Sequence, residues 1–258
     1  MRIFPSIDIL GLSVHMASLD EAIRLAEQWI RSGGRHYVCH VTVHSLMMSR
    51  DDPMLLAALS SASLAGTDGM PLVWIGRRRG FACDRVYGPD FMQALCRRSA
   101  AWQDQACRHF LYGATPRVLE LLSARLREIA PGIVIAGTLA PPMGAISDED
   151  EAAHCALIDA SGANVVWVGL GAPKQELWMA RNRSRLRAEL LVGVGAAFDF
   201  LAGVKPQAPQ WMRRMGLEWA FRLISEPRRL GRRYLSTNSR FLVLLALSAF
   251  SRRVRTTP

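Results

Sequence analysis

Cysteine is scarce in this sequence, and the spacings that cysteine chemistry uses are missing. The five cysteines are an odd number and include no C-x-x-C pair (Cys39, Cys83, Cys96, Cys107 and Cys155). A disulfide framework or a cysteine-rich metal site is therefore not expected. We expect reduced thiols in a cytoplasmic protein.

Long apolar runs are also missing. As a helix, the apolar run 241–250 would span about 15 Å. That is half of the roughly 30 Å hydrocarbon core of a bilayer, so no transmembrane helix is predicted. Near the N-terminus, Pro5 and Asp8 interrupt the apolar residues, and we expect no signal peptide.

The known motifs for nucleotides and metals are incomplete. Residues 169–171 and 193–195 both read G-x-G after an apolar run, but neither has the third glycine of a dinucleotide fingerprint. A P-loop motif and H-E-x-x-H are both missing. Residues 148–150, Asp-Glu-Asp, resemble the D-x-D of metal-dependent sugar transferases. They follow Ser147 at a predicted helix start, however, where acidic residues suit the helix dipole. We therefore expect neither a metal nor a cofactor.

The net charge of +10 is concentrated at the C-terminal end. Residues 205–258 hold 12 of the 32 basic residues but only Glu218 and Glu226 of the 22 acidic ones. This asymmetry indicates a polyanionic partner, which could be a phosphorylated ligand, an anionic membrane or a nucleic acid.

Apolar segments of strand length alternate along the chain with amphipathic segments of helical period. Strands are predicted at 36–43, 109–112, 133–137, 165–170 and 190–194. Helices are predicted at 20–30, 51–65, 89–102, 116–129, 148–160 and 174–186. This alternation favours an α/β fold, a Rossmann-like, mostly parallel sheet with helices on both faces. We expect an α/β catalytic domain over 1–204 and a basic helical appendage over 205–258.

Polar turns at the predicted strand ends are the candidate ligand site, because ligands bind outside the carboxyl ends of parallel strands. Backbone N–H groups in the glycine turns could bind phosphate oxygens. By itself, Asp68 in Thr-Asp-Gly is a common turn residue, but at a strand end it could also act in proton transfer. His40 alternates with apolar neighbours, so we expect a satisfied core residue.

A set of motifs runs in order along nearly the whole chain. They are residues 67–69 (TDG), 85–90 (RVYGPD), 169–176 (GLGAPKQE), 193–203 (GVGAAFDFLAG), 208–209 (AP) and a tail from Glu218-Trp219 to Tyr234. Together they resemble the WecG/TagA/CpsF family of bacterial glycosyltransferases. The resemblance implies inverting, metal-independent transfer of a sugar from a UDP donor to a polyprenyl-diphosphate-linked saccharide, in cell-surface or exopolysaccharide synthesis.

The resemblance also implies roles for particular residues. Asp68 matches the proposed general base, with Thr42 and Gln175 in the same pocket. The expected UDP-sugar-binding residues are Arg85, Gly113, Gly169, Gly171, Lys174, Glu176, Gly195 and Asp199. Tail arginines that match positions thought to hold diphosphate charge are Arg222, Arg229 and Arg232.

One motif departs from the family pattern. Members often have Thr-x-Asn at the first strand end, whereas this chain has His44 two residues after Thr42. The donor could therefore be glucose or another hexose in place of N-acetylmannosamine, and His44 is the second candidate for the base. Glu176 is a weaker candidate, because a helix N-terminus stabilises its ionised form.

The tail and the resemblance together predict the location and the partners. The run 241–250 with its flanking arginines favours a helix lying on an anionic membrane. We expect a peripheral protein on the cytoplasmic face of the inner membrane, with a homo-oligomer left open. The chief alternative is a non-enzymatic nucleic-acid-binding protein that uses the basic tail, but the apolar run disfavours it.

Overall fold

The computed structural model describes residues 4–104, 106–142, 144 and 146–254, without the side chains of 214, 228–230, 232–235 and 249–254. The strands are β1 (Ser6–Ile9), β2 (Leu12–His15), β3 (His36–Val41), β4 (Leu64–Thr67), β5 (Arg108–Gly113), β6 (Val134–Leu139), β7 (Val165–Gly169) and β8 (Leu190–Gly193). The helices are α1 (Leu19–Ser32), α2 (Val43–Ser49), α3 (Pro53–Ser60), α4 (Met70–Arg78), α5 (Gly88–Ala100), α6 (Pro116–Ile129), α7 (Asp148–Ala160), α8 (Lys174–Asn182), α9 (Ala197–Leu201), α10 (Gln210–Arg214), α11 (Glu218–Ser225) and α12 (Pro227–Val254).

The strands form one sheet in the order β1-β2-β4-β3-β8-β7-β5-β6. Every pairing is parallel except the β1–β2 hairpin. Side chains alternate between two apolar cores, so that Tyr37 and Cys39 of β3 lie in one and Val38 in the other. Two cores on opposite faces confirm the predicted α/β fold with a mostly parallel, doubly covered sheet.

Two central strands approach each other closely where they end. Gly113 of β5 pairs with Gly169 of β7. A Cβ on Gly113 would lie 2.6 Å from the carbonyl carbon of Gly169, and the φ of Gly113 is +130°. A Cβ on Gly169 would lie 2.5 Å from the Phe198 ring. Glycine is therefore required at both positions, at Gly113 by the backbone of β7 and by its positive φ, and at Gly169 by the Phe198 ring.

The predicted helix 51–65 is wrong at its C-terminal end. Helix α3 stops at Ser60, and Leu64–Thr67 form the buried strand β4 between β2 and β3. The strand has the sequence LAGT and thus consists mainly of small residues. At Gly66 there is little room for a side chain, since a Cβ would lie 3.2 Å from Val86. Small side chains carry little strand propensity, which is why periodicity missed β4. The predicted strand 36–43 also ends early, at Val41, because Thr42 caps α2.

The C-terminal helix α12 packs against the rest of the protein. Phe241 is 3% exposed and belongs to the same core as β3 and α2, with Leu244 partly buried beside it. Nη2 of Arg240 lies 2.7 Å from Oδ1 of Asp51. The opposite side of α12 exposes Leu242, Val243 and Leu247. No helix in the described ranges is long and apolar enough to cross a bilayer.

Candidate active site

A cleft of about 630 Å³ opens at the carboxyl ends of β3, β4, β7 and β8. Most of the predicted site residues line it: Thr42, His44, Asp68, Arg85, Gly169, Gly171, Gln175, Glu176, Gly195, Asp199 and Arg222. The tail also contributes Glu218 and Trp219 from α11 and Asn238 from α12. The volume falls within the range of small-molecule sites, about 300–1,000 Å³.

Thr42 and Ser45 fix the wall that follows β3. Oγ1 of Thr42 accepts the Ser45 N–H at 3.1 Å, and Oγ of Ser45 accepts the Thr42 N–H at 2.9 Å. This reciprocal capping box ends the strand and starts α2. His44, the second residue of α2, therefore faces the cleft from a fixed backbone.

Asp68 follows β4 and is tied to the end of β3. The N–H of Asp68 donates to the carbonyl of Val41 at 2.9 Å, and the N–H of Gly69 donates to the same oxygen at 3.2 Å. A Cβ on Gly69 would lie 3.4 Å from the amide nitrogen of Val43. These contacts hold the Asp68 carboxyl group beside the Thr42 end of the cleft.

Arg85 binds the Asp68 carboxylate directly. Its Nη2 and Nε donate to Oδ1 of Asp68 at 2.9 and 3.1 Å. The Asp68 side chain is 15% exposed. Burial raises the pKa of Asp68 to about 6, although the Arg85 charge acts in the opposite direction. A carboxyl group in this range can accept a proton near neutral pH.

Glu218 reaches the same guanidinium from α11. Its Oε2 lies 2.8 Å from Nη1 of Arg85, and its Oε1 lies 2.5 Å from Nη2 of Arg222. Burial acts to raise the pKa of Glu218, but Arg222 and Arg85 together hold that pKa below its usual value. Sequence reasoning did not assign Glu218 a role, although Glu-Trp at 218–219 was one of the motifs that carried the resemblance.

Gln175 and Glu176 form the opposite wall. Oε1 of Gln175 accepts the Gly171 N–H at 3.2 Å, and its Nε2 donates to Oε1 of Glu176 at 2.9 Å. Burial raises the pKa of Glu176, which is 1% exposed. Burial therefore opposes the ionised form that the helix N-terminus was expected to favour.

The glycine turns shape the cleft without offering all their amides to a ligand. The Gly171 N–H is used by Gln175, and the Gly195 N–H donates to the Val168 carbonyl at 3.3 Å. The prediction that these amides bind phosphate is not favoured by this geometry. Gly113 and Lys174 do not occur among the described residues that line the cleft. Gly113 packs against Gly169, and Lys174 is exposed.

Positive charge near the glycine turn of β8 comes from Lys205 and Arg222. Nζ of Lys205 lies 2.5 Å from Oδ2 of Asp199. The guanidinium of Arg222 lies over the Phe200 ring, 4.8 Å from its centroid. A smaller cavity of about 280 Å³ adjoins this part of the cleft and is also lined by Lys205, Phe200 and Arg222. Sequence reasoning missed Lys205, which lies next to the motif 193–203.

His40 lines the cleft at the side of β3 and is less satisfied than predicted. Its Nδ1 lies 2.9 Å from the Val86 carbonyl, and burial lowers the pKa of His40 to about 4. The ring is therefore neutral, and because a carbonyl can only accept, Nδ1 carries the hydrogen. Nε2 is left as a buried acceptor with no hydrogen-bond partner among the described residues.

Two groups of predicted residues lie elsewhere. Residues 148–150 start α7, where Oγ of Ser147 accepts the Asp150 N–H at 3.0 Å. Among the described residues, no three His, Cys, Asp or Glu side chains come together as metal ligands. The side chains of Arg229 and Arg232 lie outside the described part of the chain.

The glycosyl transferase WecG/TagA/CpsF family matches this chain over residues 7–255. The chain belongs to this family. The resemblance seen in the motifs is confirmed, and membership of the WecG/TagA/CpsF family makes the protein a glycosyltransferase of cell-surface polysaccharide synthesis. The cleft that joins most of these motifs is the candidate active site.

Proposed function

We propose that this protein is an inverting, metal-independent hexosyltransferase that moves a sugar from a UDP donor to an undecaprenyl-diphosphate-linked saccharide. The reaction takes place at the cytoplasmic face of the inner membrane. The observation that carries this proposal is the buried Asp68 carboxyl group in the cleft, whose pKa burial raises to about 6.

Asp68 is the proposed general base. Its ionised carboxylate takes the proton from the acceptor hydroxyl while that oxygen forms a bond to the anomeric carbon. The bond from the anomeric carbon to the UDP oxygen breaks on the opposite face, and UDP leaves with the electron pair. One displacement inverts the anomeric centre, and Asp68 ends protonated. Positioned bases of this kind contribute roughly 10²–10⁴ in rate.

The leaving diphosphate needs neutralising charge, and the cleft supplies it from side chains. Arg222 and Lys205 lie together beside the glycine turn of β8. Fixed cations aimed at developing charge are among the largest contributions to catalysis. Guanidinium groups also bind phosphate oxygens in a forked geometry. Arg229 and Arg232 are proposed to extend this set toward the lipid diphosphate.

Helix α12 provides the proposed membrane contact. Leu242, Val243 and Leu247 are exposed on one side while Phe241 anchors the other side in the core. Exposed apolar side chains on a basic helix suit the interface of an anionic membrane. The acceptor would thereby be presented to the cleft, whose wall includes Asn238 of the same helix.

His44 bears on which sugar is transferred. It stands at the wall of the cleft where many family members have asparagine, and a neutral imidazole carries its one donor and one acceptor on separate sides of the ring, so it cannot present them side by side as an amide does. We propose a donor other than UDP-N-acetylmannosamine, with UDP-glucose the first to test.

A screen of UDP-sugars with a synthetic polyprenyl-diphosphate saccharide tests the proposal. We expect a single donor to give product whose new linkage has the inverted anomeric configuration by NMR, at an unchanged rate in EDTA. A product with retained configuration would contradict inversion. Activity that EDTA removes and Mg²⁺ restores would contradict metal independence. Binding to oligonucleotides without any transfer would favour the non-enzymatic alternative.

A further inference from the structure

Arg85 is shared between two carboxylates that come from distant parts of the chain. Its Nη2 lies 2.9 Å from Oδ1 of Asp68, and its Nη1 lies 2.8 Å from Oε2 of Glu218. All three side chains are largely buried, with exposures of 17% for Arg85, 15% for Asp68 and 8% for Glu218. Charges at such sites interact strongly because little water screens them.

Glu218 is itself held in place from its other side. The hydroxyl of Tyr87 donates to Oε1 of Glu218 at 3.0 Å, and Nε2 of Gln207 donates to the Tyr87 oxygen at 3.1 Å. Nη2 of Arg222 lies 2.5 Å from the same Oε1. The guanidinium of Arg85 also stacks on the Tyr87 ring, 3.9 Å from its centroid. Glu218 therefore has a fixed position relative to Arg85.

The charge balance around Asp68 follows from this arrangement. The charges that act on Asp68 are those of Arg85 and of Glu218 and Arg222 in α11. The other titratable groups that line the cleft are His40, His44, Tyr87, Glu176, Asp199 and Lys205. Alone with Asp68, Arg85 would stabilise the carboxylate and make it a poor proton acceptor. A second carboxylate on the same guanidinium offsets that effect. Glu218 would then matter to catalysis without touching the substrate.

We infer that Glu218 is a positioning residue that keeps Asp68 competent to take the acceptor's proton by sharing Arg85 with it. This inference rests on the proposed role of Asp68 as the base. Glu218 would then help burial to keep Asp68 a strong enough base, although α11 is distant from Asp68 in sequence.

The test is the pH profile of kcat for the full-length protein and for Glu218→Gln. Glu128→Gln, on the exposed face of α6, is the matched control. Glu218→Gln removes the charge that opposes Arg85, so the acidic limb should move to lower pH by about one unit. The plateau rate should fall several-fold because the base is weaker. Glu128→Gln should leave both unchanged.

If Glu218→Gln does not fold, which circular dichroism would detect, the conservative variant Glu218→Asp replaces it. Glu218→Asp keeps the negative charge but places it one methylene farther from Arg85. The acidic limb of the pH profile should therefore move to lower pH, by less than in Glu218→Gln. A limb that stays in place in every folded Glu218 variant would overturn the inference, whether or not the rate falls. Asp68→Asn tests the premise separately: if it leaves the rate and the acidic limb unchanged, Asp68 is not the base, whereas a lack of transfer from every UDP-sugar by the unaltered protein would contradict the proposed function itself.

Discussion

The amide N–H of Asp68 donates a hydrogen bond of 2.9 Å to the carbonyl oxygen of Val41. This bond joins the end of β4 to the end of β3, and Thr42 follows directly. The proposed base is therefore attached to two central strands of the sheet. A site built on strand ends holds its geometry better than a site on a mobile loop.

Replacing Asp68 by asparagine should remove catalysis while preserving the fold. Asp68→Asn keeps the shape of the side chain and its contact with Arg85 but cannot accept a proton. We expect kcat to fall by about 10²-fold or more with little change in donor affinity, measured by steady-state kinetics and by calorimetric titration with the UDP-sugar. His44→Asn is the matched comparison. If His44→Asn is inactive and Asp68→Asn works at nearly the normal rate, the base is His44.

The rate should depend on pH through the ionisation of Asp68. Burial raises the pKa of this group to about 6. Since a general base works only when deprotonated, kcat should rise with pH up to about 6–7 and then level off. An ordinary surface aspartate would instead place the acidic limb of the profile at about pH 4. A profile that is flat between pH 5 and 8 would show that Asp68 does not limit the rate.

Arg222 should contribute to catalysis beyond any contact with membranes. Arg222→Glu places a negative charge beside Glu218 and removes a cation from the cleft, so turnover should fall by about 10²-fold. The assay should use a short, soluble acceptor, because membrane binding then has no influence. Arg125→Glu, on the exposed face of α6, is the control for charge reversal. Equal rates for the two variants would limit Arg222 to a membrane or structural role.

The two sides of α12 should separate stability from membrane binding. Phe241→Ala should lower the free energy of unfolding by about 3 kcal/mol, because it removes a buried aromatic ring. Leu242→Ala should change it by less than about 0.5 kcal/mol. Conversely, replacing Leu242, Val243 and Leu247 by serine should weaken sedimentation with anionic vesicles and leave the melting temperature nearly unchanged. Undiminished vesicle binding would show that this side of α12 is not the membrane contact.

The sequence predicted the fold class and the general place of the site because both depend on local signals. Apolar runs alternating with amphipathic segments indicate strands and helices by period alone, and α6 and α7 occur with the predicted bounds. Turn residues after those runs mark the strand ends, and the family resemblance singled out Thr42, Gln175 and Asp199 near them. The family was identifiable because its motifs are short and occur in order.

Long-range packing decided what the sequence did not show. Strand β4 looks like the end of a helix because its small residues carry no strand signal, and its place between β2 and β3 makes it a strand. Phe241 is part of an apolar run that could lie on a membrane, yet packing against α2 buries it.

The chemistry of the site also depends on the tertiary structure. Glu218 joins Arg85, and Tyr87 donates to Glu218 across 131 positions of sequence, a pairing that no local pattern contains. The pKa of Asp68 likewise depends on how much water the assembled cleft excludes. Residue types and spacings determined which groups are available, whereas their burial and their distances to opposing charges arise only when the chain folds.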